Sequence, residues 1–278
     1  MNKIIFVLLL AITFNTTVYS QKLEKVKGNK NVTIQQTLID PFHTIVVGEK
    51  LKVEIIYNRE PSVEIEADDN LHVFILFEVV DSTLTFRTTR RITSKKRLNI
   101  KVSYDDALLH IESKDNGEIS SLFPLDLENA TLKASGTSNT ELTIKADTLN
   151  IVNTEKAKIK LNLTASKTEL ELNGSSKIEA YINSPEINMN SYERAVANIE
   201  GNSDTISLVT DNNSKFNGKN FTTKTCSTIC EISSDVTIGV TDTVTIEASG
   251  NSSVYLYNNP KIIINRFTDT AKLQKKVK

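Results

Sequence analysis

Three phrases in the chain share one cadence: "ASGTSNTELTI" from Ala134, "LNGSSKIEAYI" from Leu172 and "ASGNSSVYLY" from Ala248. Each runs through a Gly and a few small or polar residues into an alternating strand. Repetition on this scale constrains the fold, because a unit this short cannot bury its own apolar side and must stack on its neighbours. Rows begun at Leu132, Leu149, Leu170, Ile187, Ile206, Phe221 and Ile246 recur at a mean spacing of 19 residues. Two positions along stand Ala134, Ile151, Leu172, Met189, Leu208, Thr223 and Ala248, an inward column. Four positions along stand Gly136, Asn153, Gly174, Ser191, Thr210, Thr225 and Gly250, small residues suited to a sharp turn. Alternation then places Ile178, Ala180 and Ile182 inside, with Glu179 and Tyr181 in water. The expected architecture is a stack of parallel coils about 4.8 Å apart. The Phe221 row fits worst, since it puts Glu231 at an inward position. An antiparallel sandwich is the competing fold, as regularly spaced turn signals suit both.

Upstream, "KVEIIY", "SVEIEA", "TLTFRT" and "LNIKVSY" also alternate, so the whole chain reads as all-β, and "NLHVFILFEVV" from Asn70 reads as a buried strand. Residues 1–20, with Lys3 ahead of the apolar run Ile4 to Phe14 and a polar exit at Val18 and Ser20, read as a signal peptide. Export to the periplasm, outer surface or medium is therefore expected. No later stretch reaches the roughly 20 apolar residues of a transmembrane helix. Net charge −1 argues against a nucleic-acid partner. The division expected is a strand-rich, irregular part over 21–118, solenoid coils over 119–260, and a terminal strand with a solvated basic tail, including Lys272, Lys275, Lys276 and Lys278, over 261–278.

The order of segments from Phe42 to Thr88, an apolar strand, a Gly, a second strand, "EADDNL" at Glu66 to Leu71 and the hairpin phrase "VDSTLTF", resembles the "putative auto-transporter adhesin head GIN domain" family of exported proteins, common in Bacteroidetes. The likeness runs from Phe42 to about Tyr257. It implies a right-handed parallel β-helix (β-solenoid) with a more irregular N-terminal region, a surface or periplasmic location and an adhesive role. The chain departs from the pattern in having only nine Gly, with Asn, Ser and Thr in their place.

Chemistry is sparse. His43, His72 and His110 stand far apart; Asp68 with Asp69, and Asp105 with Asp106, lack the spacing of a calcium loop and read as turn residues. Neither a metal nor a cofactor is expected. Cys226 and Cys230 are candidates for a disulfide if "CSTIC" bends, and otherwise buried thiols. Acids alternate with Lys along the outward columns, the pattern of a solubilising ladder. A carbohydrate-active enzyme on a parallel β-helix is the rival function. The leading expectation is a non-catalytic binding or structural module that presents Tyr181, Asn198, Asn217, Tyr255 and Tyr257 to a carbohydrate or a surface protein, with homo-oligomer formation through the solenoid ends as a further expectation.

Overall fold

The computed structural model describes residues 23–277; the signal-peptide segment 1–20 lies outside them. The described chain is nearly all β, with 20 of its strands joined in one hydrogen-bonded sheet. From Leu125 onward every neighbouring pair of rungs is parallel, which makes the body a β-solenoid. An alternating strand with one apolar face can bury that face only against the rest of its own coil, and the ladder hydrogen bonds then go to the coils above and below.

The observed register is tighter than the sequence rows. Leu132 stacks on Ile151, Leu170, Met189 and Leu208, then on Thr228, Ile246 and Ile264. Across most of the stack equivalent residues are 19 apart. The expected rows drifted by two residues at Leu132, Leu170 and Ile246, and by five at Phe221. A shift of two keeps a side chain on the same face of a strand, so the inside and outside assignments of Ile178 and Glu179 survive. Phe221 pairs Gly201, and the strand Lys215–Cys230 carries an irregularity between Gly218 and Thr222. That bulge explains the poor fit of its row. Glu231 belongs to the following turn, where its carboxylate meets Arg266.

The turn column also needs correction. Gly136, Gly174 and Gly250 do sit at positive φ, but the equivalent residues in other coils are Glu155, Glu193, Asn212, Ile232 and Asp269. Asn153, Ser191 and Thr210 lie just before the turn and are fully buried. An acid is tolerated at the left-handed position because its carboxylate reaches the adjacent coil: Glu155 accepts from the Gly136 amide, and Asp269 from the Gly250 amide at 2.9 Å. Behind the turn runs a column of fully buried small residues, among them Ser138, Ala157, Ser176, Ala195, Ser214 and Ser252.

Cys226 and Cys230 both point inward, with Thr228 between them on the same face, and both are free. Of the two alternatives the buried thiols are realised, because "CSTIC" runs straight and four residues of extended chain separate the two positions by roughly 13 Å. Burial pushes the Cys226 thiol up to about 12. Cys230 is fully buried.

The N-terminal part begins the stack and closes it. Thr44–Val47 and Lys52–Tyr57 are parallel rungs beneath His110–Ser113 and Glu118–Ser121. The chain between them folds back over the open end. Leu98–Tyr104 continues the sheet in parallel with Lys52–Tyr57, then Ser62–Asp68 and Val32–Leu38 add antiparallel strands. The segment read as one buried strand from Asn70 begins as a 3₁₀ turn, Asp69–Phe74, and only then becomes the strand Ile75–Val80. The turn is the reversal that drops Leu71 onto the core, where it is fully buried. At the other end Lys261–Phe267 is a strand, and part of the stretch expected as a solvated basic tail forms a further strand, Lys272–Lys275; both stack on the last full coil.

Two outcomes check this arrangement by thermal melts. Ile178→Asp, which buries a charge at a fully enclosed position, is expected to unfold the protein, whereas Glu179→Ala stays within about 0.5 kcal/mol of wild type. Ile232 is a β-branched residue at φ 58. Its replacement by Asn is expected to stabilise by about 1 kcal/mol, since left-handed backbone costs most side chains roughly that much.

Candidate functional site

The outward residues of the sheet over Ser62–Asp68, Leu98–Tyr104, Lys52–Tyr57 and the coils that follow form the floor of a groove of about 780 Å³. Lys52, Glu54, Glu64, Glu66, Asn99 and Lys101 line its N-terminal part. Alternation in "KVEIIY", "SVEIEA" and "LNIKVSY" sends these side chains outward, and the fold-back places three distant segments side by side. Lys101 lies between Glu54 and Glu64 and reaches Glu64 Oε1 at 3.3 Å. Asn99 donates to Glu66 Oε2 at 2.8 Å, and Lys52 pairs with Glu118 at 2.5 Å. Exposed pairs of this kind contribute under about 1 kcal/mol each to stability, so their main effect is to fix charge geometry on an open face.

A second depression of about 640 Å³ shares Glu141 and Lys160 with the first and carries the groove along the coils. Its lining includes Asn162, Glu179, Tyr181, Asn198 and Glu200. The true outward column is Glu141, Lys160, Glu179, Asn198, Asn217, Thr237 and Tyr255, each on the next rung. Asn217 donates to Asn198 Oδ1 at 3.1 Å, the start of an amide ladder. Tyr181 stands one pair along the strand, between Asn162 and Glu200, with 48% of its surface exposed.

Of the five sequence candidates, Tyr181 and Asn198 line the groove, Asn217 adjoins it, and Tyr255 lies further down the same column under the Lys276 ammonium, 4.6 Å from the ring centroid. Tyr257 is the exception: it is buried, so it presents no face to a partner. Its strand pairs it with Gly239 on the neighbouring rung. Sequence reasoning missed Glu54, Glu64, Glu66, Asn99 and Lys101 as a group. Their alternation was visible; their adjacency depends on antiparallel pairing of Glu64 with Lys101 and Glu66 with Asn99, and on parallel pairing of Glu54 with Lys101, between segments far apart in the chain.

The Asp68–Asp69 pair has a defined task. Asp68 is fully buried and accepts from the backbone amides of Lys30 at 3.0 Å, Lys96 at 3.1 Å and Arg97 at 3.2 Å. Gly28 packs so closely that any Cβ there would collide with the carboxylate. Asp69 accepts from the side chains of Asn29 and Asn31, and Asn70 donates to the Lys27 carbonyl at 2.9 Å. Carboxylate oxygens occupied by N–H donors are unsuited to calcium, which needs free oxygen ligands. "EADDNL" is thus a clasp that ties two loops to the closed end. Among the described residues no group of three or more His, Cys, Asp or Glu is placed to hold a metal. Burial alone pushes the Asp68 carboxyl up, but the three amides together hold it below the ordinary Asp value.

The sequence profile of the family described as "Putative auto-transporter adhesin, head GIN domain" matches residues 41–182 and 162–260. The chain belongs to this family. Solved structures show the same fold at low identity. A "putative adhesin" from Parabacteroides distasonis superposes with TM-score 0.69 at 17% identity, covering 90% of this chain and 100% of that one. A second from Parabacteroides merdae gives 0.68 at 16% identity, covering 91% and 99%. A third from Bacteroides fragilis gives 0.63 at 16% identity, covering 90% and 100%. No curated protein matches the chain.

The clasp lies within the phrase "EADDNL". Because the folded Asp68 pKa is depressed, its stabilisation is complete above the ordinary value of about 4 and is lost as pH falls through the folded pKa. Asp68→Ala is expected to lower the melting temperature at pH 7 by several degrees and to flatten the acid side of the stability profile. Added Ca²⁺ or EDTA leaves the wild-type melt unchanged.

Proposed function

We propose that the protein is an exported, non-catalytic adhesin module that holds a carbohydrate of the cell surface or its surroundings along the stacked polar groove. The observation that carries this is the continuity of the groove: two depressions sharing Glu141 and Lys160 offer a row of carboxylates, ammonium groups and amides that repeats with the coils. A rung spacing of about 4.8 Å is close to the length of a sugar ring, so an extended glycan can meet an equivalent side chain at each rung. Tyr181 supplies an exposed ring for stacking on a sugar face, and Asn162, Asn198 and Asn217 supply paired donor and acceptor groups. Adhesin-family membership supports the binding role and a surface or extracellular location. Among the described residues no helix is long and apolar enough to cross a membrane.

The mature protein incubated with a panel of polysaccharides tests the reading. Retention of at least one glycan is expected, with Tyr181→Ala weakening it about threefold to tenfold and Tyr192→Phe, away from the groove, leaving it unchanged. Release of reducing or unsaturated ends would make the protein an enzyme and overturn the proposal.

A further inference from the structure

The two ends of the stack differ. At the N-terminal end antiparallel strands and the 3₁₀ turn cover the core, whereas the last rung at the C-terminal end leaves it open. All seven residues of Lys261–Phe267 are exposed. Ile262, Ile264 and Phe267 continue the columns of Val244, Ile246 and Ala248, which are fully buried one rung below. In the last rung these three side chains are 45%, 50% and 40% exposed. Three large side chains in core register but in water mark a surface with an occupant.

Charge selects the occupant. Lys261 heads the strand that carries these side chains and Lys272 and Lys275 stand exposed on the next, with Lys275 donating to Asn259 and the following Lys276 lying over Tyr255. The acid within this last rung, Asp269, is occupied by the Gly250 amide, and Arg266 is engaged by Glu231 and Glu247. In a chain of net charge −1, positive charge is thus gathered at one end. A second copy stacked there about a two-fold axis would bring the lysines of both chains into one plane, like charge against like. An apolar centre within a cationic rim matches instead a surface that is anionic above and apolar beneath.

We propose that the C-terminal end of the solenoid seats on an anionic lipid bilayer. Lys261, Lys272 and Lys275 meet the headgroup phosphates, and Ile262, Ile264 and Phe267 reach the boundary of the acyl chains. The free N–H and C=O groups along the outer edge of Lys261–Phe267 limit the depth, since they must stay hydrated or bonded to headgroups. Seated this way the solenoid stands on its end, and the groove on its side faces outward.

Sedimentation of the mature protein with vesicles tests this. Binding to vesicles containing phosphatidylglycerol in phosphatidylcholine is expected at low salt, with little binding to phosphatidylcholine alone and loss on raising the salt. Reversing Lys261, Lys272 and Lys275 to Glu is expected to weaken binding at least about tenfold. The same change at Lys133, on another face, leaves it unaltered, and melts confirm that both variants fold. Equal binding to neutral vesicles, no binding to anionic ones, or indifference to the triple change overturns the proposal. So does a doubled mass in light scattering that Ile264→Glu returns to the monomer, which would make a second copy the occupant.

Discussion

The hydrogen bonds between equivalent strands one coil apart govern everything else in this molecule. Each rung satisfies its backbone only through its neighbours, so side chains 19 residues apart are forced into register whatever their identity. The core is therefore a set of columns. Aliphatic columns such as Leu132, Ile151 and Leu170 stabilise by burial at roughly 25 cal/mol per Å². Columns of Ser and Ala behind the turn permit the close packing of the corner. The same constraint makes the ends special, for a terminal rung has half its partners missing.

Function inherits this geometry. Outward side chains also fall into columns, and a face of columns suits an extended, repeating ligand better than a compact one. The N-terminal fold-back widens this face by adding strands that are antiparallel and so bring in residues from outside the repeat. Lys101 thus lies between Glu64, its antiparallel neighbour, and Glu54, its parallel one. The buried Asp68 secures the fold-back by spending its carboxylate on three amides, which removes it from any role toward ligand or metal.

Much of the repeat was legible because strand alternation has a period of two, and errors of two residues leave a side chain on its correct face. Ile178 and Glu179 were placed correctly although Leu132, Leu170 and Ile246 were misregistered. Phe221 was misplaced because the ladder is irregular between Gly218 and Thr222, so spacing no longer reports register there. The left-handed turn position was partly hidden: Gly136, Gly174 and Gly250 announce it, but Glu155 and Asp269 occupy it by bonding to an adjacent coil. Tyr257 was expected outward from alternation and is buried, an outcome that no local pattern carries.

The sequence by itself determined the class of fold, the approximate length of a coil and, for strands such as Lys177–Asn183, which side chains face inward, because these follow from local alternation and spacing. Only the tertiary structure decided the exact register, the straight course between Cys226 and Cys230, the joining of three separate segments into one groove, and the contrast between a closed and an open end. Those features rest on pairing between strands far apart in the chain. Such pairing is selected by the summed burial and hydrogen bonding of whole coils, and no single segment contains it.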